Sequence, residues 1–265
     1  MMRWLGLMLV LAFPVGVHAG VYDLNEPCPF AVKPDGTAVE LPYLPNFKSL
    51  LDDRVNAGNP AMPAKDGTTL TFRGKVLERL ASLTPKAASL SVDELTGLAV
   101  DNILVGQTGT ASNLLEPRSR DRSPSMAAIL TLAHAHAQQG GWTEAIEYHG
   151  YALGDIEPPA TLPGCKPEQT KWLLRVEREA YRRWLRVRAQ EMKKKPSPAD
   201  LEIYPLFTDK DGNPVKFVNA AGAYDPGNLA PAERAKLPPD PIAIVQQLSL
   251  CSPDDSRLLW LLAEL

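Results

Sequence analysis

The sequence is poor in the residues that announce chemistry. Its 265 residues hold three cysteines, too few for a disulfide-stapled miniprotein. None stands in a CxxC spacing, which removes the minimal unit of thiol redox catalysis and of a zinc site. Histidines number four, and no GxSxG elbow, HExxH, phosphate loop or dinucleotide fingerprint is present, so the motif-bearing hydrolases and nucleotide enzymes find no support. Neither sign of charge dominates: 28 basic side chains face 31 acidic ones for a net −3. Bulk charge therefore gives no nucleic-acid binder. Beyond the N-terminus no apolar run approaches the ~20 residues of a membrane span. Proline, by contrast, is abundant. The 25 prolines are about twice the usual share of roughly 5%, and each removes a backbone donor, so short elements and many loops follow.

The first 19 residues carry a basic start at Arg3, an apolar stretch from Trp4 to Val17, and Val17-His18-Ala19 ahead of Gly20. This pattern is that of a secretory signal peptide cleaved after Ala19. The mature chain is then expected to be exported, periplasmic or extracellular, with no stable membrane insertion after cleavage. Cys28, Cys165 and Cys251 remain in it. An odd number permits at most one internal pair; the reading favoured is that of buried small apolar side chains, with one disulfide of open connectivity as the alternative.

The most periodic stretch runs from Met126 to Leu153. Ile129, Leu132, Ala133, His136 and Ala137 recur at helical spacing, Gly140-Gly141 breaks the pattern, and a second periodic segment runs from Trp142 to Leu153. A helix, a tight turn and an antiparallel helix are predicted. Ala133, Ala145 and Ala152 are small, which lets the two helices approach closely. A fainter copy starts at Val92, where Leu98, Ala99, Gly106 and Ala111 lie 34 residues before Leu132, Ala133, Gly140 and Ala145.

On these positions the chain resembles the tetratricopeptide repeat family, helical hairpins of 34 residues that stack into a solenoid. Leu132, Ala133, Gly140, Ala145, Ala152 and Leu153 occupy signature positions and Trp142 an aromatic one. His136 and His149 stand where the family has bulkier residues, and the closing Pro158 comes one residue late. The resemblance implies a mostly α fold, a tetratricopeptide-like α-solenoid with a loop-rich N-terminal segment and a small β-hairpin insert. Repeats occupy residues 69–159, with units at 92–117 and 126–159. Ser256 to Leu265 resembles the first helix of a further unit, expected either to cap the array or, as favoured, to end a shortened one, leaving Leu259, Trp260 and Leu262 exposed.

Around the repeats, residues 20–68 read as loop-rich with one helix at Phe47 to Asn56, and Thr69 to Phe72 as a brief strand ahead of a helix at Gly74 to Leu83. Residues 168–195 read as one long amphipathic helix with Leu173, Val176, Ala180, Trp184 and Val187 on its apolar stripe. Its other face carries ten lysines and arginines against Glu177, Glu179 and Glu191. Residues 196–238 read as loop and β-hairpin around Asp209 to Asn213, a turn that lacks the Gly and Glu positions of a calcium loop. Residues 239–265 close the chain with helices.

No metal or cofactor is expected. His134 and His136 point about 200° apart on a helix and cannot share an ion, while His136 and His149 can meet inside the hairpin as core histidines. The function expected is non-catalytic: an exported scaffold that binds a protein or peptide partner. The resemblance places the groove at Ala127, Leu130, His134, Ala137 and Gln138. A face so apolar suits an extended peptide or a partner helix, and it can equally be the face covered by the long helix. The alternatives are an extracytoplasmic hydrolase of unrecognised type and a binder of an anionic polymer or lipid surface through the basic helix.

Overall fold

A computed structural model describes residues 27–194 and 203–265. The leader read at residues 1–19 and the first residues of the segment at 196–238 lie outside them. The chain is mostly helical, and its strands amount to one pair, Lys65–Asp66 against Thr69–Leu70.

Side chains satisfy the orphan amides of the first turn at two helices that lead into the repeats. Thr71 caps Phe72–Leu83 (α2) by accepting from the Gly74 amide, after Lys48–Gly58 (α1) has brought the chain alongside. Ser91 and Glu94 form a reciprocal capping box on Val92–Leu104 (α3). Thr108–Leu115 (α4) completes the first hairpin. Met126–Gln138 (α5) and Trp142–Asp155 (α6) form the second.

The turns of the two hairpins are built alike. Gly106 and Gly140 both take left-handed backbone, φ +79° and +78°, which glycine alone enters without cost. Gly106 N donates to Ile103 O and Gln107 N to Asn102 O, at 3.0 and 2.8 Å; Gly140 N donates to Ala137 O and Gly141 N to His136 O, at 3.0 and 2.9 Å. The corresponding side chains Leu98 and Leu132, Ala99 and Ala133, Ala111 and Ala145 are all buried.

Helix α5 lies at the centre, against α3, α4 and α6. Its composition fits that place, because apolar and small residues occur all round its circumference. Ala128, Leu132 and Ala135 belong to one core cluster with α2, α3 and α4. Ile129, Leu130 and Ala137 belong to the other, with the N-terminal segment and everything after α6.

The long helix read at 168–195 is continuous but not uniform. Pro167–Val176 (α7) and Arg182–Glu191 (α8) are joined by a π turn at Glu177–Tyr181. There Arg182 N donates to Glu177 O, five residues back, so one extra residue bulges and re-aims the side chains of that turn. The apolar stripe is buried as expected, and Lys195 lies outside the described residues.

The hairpin insert keeps its turn but little ladder: a single bridge joins Thr208 and Pro214, Val215 N donates to Phe207 O at 3.0 Å, and Gly212 sits at φ +84°. After the short Pro231–Arg234 helix (α9), Pro241–Cys251 (α10) and Ser256–Glu264 (α11) pack on each other. The exposure expected at Leu259, Trp260 and Leu262 holds only for Leu259, 38% exposed. Trp260 is covered because the insert supplies Phe217, edge-on at 5.4 Å, and Tyr224, whose hydroxyl accepts from Trp260 Nε1 at 3.2 Å.

The N-terminal segment is strapped onto this C-terminal pair. Leu41 N donates to Gln246 Oε1 and Gln246 Nε2 donates back to Leu41 O, both at 2.8 Å. Buried Asp240 accepts from Ala38 N and Trp172 Nε1, both at 2.9 Å, and from Arg175.

Candidate functional site

The π turn carries a buried carboxylate, Glu177. Leu173, Glu177, Tyr181 and Leu185 form an i, i+4 row, and the bulge turns Glu177 and Tyr181 into the seam between α5 and α6. Glu177 Oε2 pairs with His149 Nε2 at 2.9 Å and Glu177 Oε1 with His134 Nε2 at 3.3 Å. All three side chains are buried. Tyr181 stacks on His134 with ring centres 4.1 Å apart and planes at 6°.

Burial alone would strip the charge from both partners. It would lower His134, yet the charge of Glu177, a hydrogen bond with Cys251 and one with Glu177 outweigh it and hold His134 up at about 10. Burial would raise Glu177, but the His134 charge and hydrogen bonds from His134 and His149 hold it far below the usual carboxylate range. The node is an ion pair, His134 imidazolium with Glu177 carboxylate, braced by His149. Tyr181 is pushed well up, first by burial and then by the Glu177 charge, and stays a neutral phenol.

The histidines pair differently from the arrangement the sequence suggested. His134, on the side of α5 facing α7 and α8, meets His149 through Glu177, while His136 stacks on Tyr148 at 5.3 Å. Among the described residues no group of three or more His, Cys, Asp or Glu side chains could hold a metal ion.

Of the five groove residues, Ala127, Leu130, His134 and Ala137 are buried, and Gln138 is exposed. His134 is covered because the carboxylate and phenol of the π turn dock on it, and Ala127, Leu130 and Ala137 are buried in the core shared with the N-terminal segment and the elements after α6. What stays open is the end of the face, a cleft of about 780 Å³ beside the Gly140 turn, lined by Ala137, Gln138, Trp142, Trp184, Met192 and Cys251 among others. Trp142 meets Trp184 edge-on at 5.9 Å and lies under the Arg188 guanidinium at 5.8 Å. Val55 and Met192 expose apolar surface beside them, 44% and 68%. Gln138 Nε2 donates to Cys251 O at 3.1 Å and Gln247 Nε2 lies 3.5 Å from Cys251 Sγ.

The basic face of the long helix borders a second recess of about 620 Å³, where Arg178, Arg182, Arg183 and Arg186 meet Lys210 and Lys236 of the following segment. Arg183 Nη1 donates to Thr208 Oγ1 at 2.8 Å, and burial, then the neighbouring Arg186, lowers its pKa. Glu179 and Asp209 line the recess as well, and Lys236 is paired with Glu233.

The sequence pattern sets Glu177 among the charges of the basic face; the π turn buries it instead. Its signal was present: one acidic residue inside the apolar row Leu173, Tyr181, Leu185. No helix among the described residues is long and apolar enough to cross a membrane. Comparison of the chain with family models, with curated proteins and with solved structures finds no match.

Proposed function

We propose that this protein is an exported, non-catalytic scaffold built on two degenerate tetratricopeptide-like hairpins, and that it binds a protein or peptide segment in the cleft at the Gly140 end of α5 and α6. The observation that carries this reading is the cleft itself. It combines exposed Val55 and Met192 with the half-buried indole of Trp142, and aromatic and methionine side chains are the anchors of binding surfaces. Gln138 stands at its mouth to meet the partner's backbone amides. The groove of the family is thereby shifted, from the face closed by the π turn to the end left open. Export is supported by the signal-peptide pattern of residues 1–19.

The test is affinity capture from an envelope extract with the chain from Gly20 onward and with a Val55→Glu, Met192→Glu variant whose helicity matches the parent. Both substituted side chains are exposed, so the fold tolerates the change. The expected result is a defined partner on the parent and its loss from the variant. Equal recovery on both removes the cleft as the binding surface, and no partner on the parent removes the scaffold.

A second reading rests on Cys251, which lies on the cleft wall in hydrogen-bonding contact with the His134 imidazolium. Sulfur, imidazole ring and carboxylate in series are the parts of a cysteine hydrolase. The Cys251 sulfur, its proton lost to solvent, would attack an acyl carbon, the His134 imidazolium would protonate the leaving group, water would then release the acyl group as an acid and return a proton to the ring, and Glu177 would hold that ring. Turnover of activated esters or peptides that vanishes in Cys251→Ala and survives in His136→Gln supports it; turnover unchanged in Cys251→Ala removes it.

A further inference from the structure

The two remaining cysteines are far apart in sequence and adjacent in space. Cys28 lies on the N-terminal segment and Cys165 in the loop between α6 and α7, and their side chains are hydrogen-bonded to one another. Both backbones are set independently of the sulfurs. Cys28 N donates to Gly164 O at 3.1 Å, and Gln169 Nε2 donates to Cys28 O at 3.2 Å and Phe30 O at 2.8 Å. Phe30, fully buried, packs its ring against Trp172 with centres 4.9 Å apart. On the other side Cys165 N donates to Leu162 O at 3.0 Å, and Leu162 is itself buried. Both cysteines are half-buried on the wall of a recess of about 870 Å³, so a reagent can reach them. Cys251 lines the other cleft.

We infer that Cys28 and Cys165 are the site of an intramolecular disulfide, formed when the folded protein meets a disulfide oxidant, either a small-molecule disulfide or an oxidoreductase of the export compartment. The chemistry balances as thiol–disulfide exchange. The Cys28 sulfur, after loss of its proton, attacks one sulfur of the oxidant. The oxidant's S–S bond breaks, and its first sulfur leaves and takes up a proton. Cys165 then loses its proton and attacks Cys28 Sγ in the mixed disulfide, expelling the oxidant's second sulfur as a thiol. Two protein thiols become one disulfide and the oxidant disulfide becomes two thiols. The order follows from the pair's electrostatics. Its hydrogen bond with Cys165 lowers the Cys28 pKa, whereas Cys165 is held up first by its bond to Cys28 and then by burial. Cys28 is therefore the attacking sulfur, and its conversion to the mixed disulfide removes the charge that keeps Cys165 protonated.

The consequence is a covalent clasp between the N-terminal segment and the loop after the second hairpin. It removes conformational freedom from the unfolded chain and demands little movement of the folded one.

The test uses the purified chain from Gly20 onward, folded, incubated with reduced and oxidised glutathione in varied ratio. The samples are quenched in acid, denatured and labelled with a maleimide for intact mass and peptide mapping. Under oxidising ratios one thiol should be labelled, that of Cys251, and the Cys28 and Cys165 peptides should be recovered joined and lighter by two hydrogens. Reduction should restore all three labels. Cys251→Ala should cross-link as the parent does. Cys28→Ser and Cys165→Ser keep the contacts that set the backbone and should fold; in each, the surviving partner should take up glutathione. Reduction should lower the urea midpoint of the parent and of Cys251→Ala, and leave that of the two serine variants unchanged. Three labelled thiols at the most oxidising ratio, or a cross-link that includes Cys251, overturns the assignment.

Discussion

Glu177 accepts from two buried imidazoles at once, so removing it strands both. Glu177→Ala should destabilise the protein by about 3–5 kcal/mol, the usual cost of breaking a buried ion pair from one side; Glu177→Gln keeps an acceptor and should cost less. Urea titration followed by tryptophan fluorescence measures both. The same pair fixes a pH dependence. The contribution of His134, whose pKa is raised in the fold, is complete below the ordinary imidazole value of about 6.5 and is lost as pH climbs through about 10. That of Glu177, depressed in the fold, is complete above about 4.3 and fades as pH falls below it. The Tm advantage of the parent over His134→Gln should thus be widest between about pH 4.5 and 6.5 and shrink steadily toward pH 10. An advantage that grows with alkaline pH contradicts the ion pair. At Gly140 the φ of +78° is the whole constraint, since a Cβ there would meet nothing within 4 Å. Gly140→Ala should therefore cost about 1 kcal/mol through backbone strain alone, and Gly140→Asn less, read from the same titrations.

Among the elements, the helices of both hairpins were legible because their determinants are local: apolar spacing and a glycine at the turn. The match of Gly106 to Gly140 marked both turns, and in the structure both glycines take left-handed backbone. The π turn left no such mark. A bulge of one residue answers to what the helix must reach, here His134, 43 positions away, and distance along the chain hides that. The covering of Ala127, Leu130 and His134 was one of two readings the sequence left open, because the choice depends on which distant element docks there. An excision test belongs at this scale. Deleting the exposed Arg178 turns the π turn into ordinary helix, and because the bulge had absorbed that extra residue, α7 and α8 keep nearly the same rotation. The Trp184 Nε1 to Asp255 Oδ2 bond of 2.8 Å should then survive, while the aim of Glu177 and Tyr181 at His134 is lost. The near-ultraviolet circular dichroism of the deletion protein should weaken while its helical signal persists.

For the whole molecule, Asp240 ties three regions together: Ala38 of the N-terminal segment, Trp172 and Arg175 of α7, and α10, which it precedes. Asp240→Ala should cost about 3 kcal/mol or more and should release the N-terminal segment first. Hydrogen exchange at Ala38 and Leu41 should accelerate well beyond that in α5. Uniform acceleration would place Asp240 in the general stability of the core instead.

The Leu41–Gln246 clasp spans 205 positions, and this sets an order of events during synthesis. A ribosome completes α3 through α6 as neighbours, and those hairpins close as they emerge. The segment around Leu41 is made 205 residues before its partner, so it stays unpaired while everything between them is made. For that interval Leu41 is open to any protease or chaperone that meets the nascent chain. Helix α10 therefore decides when the segment around Leu41 is safe.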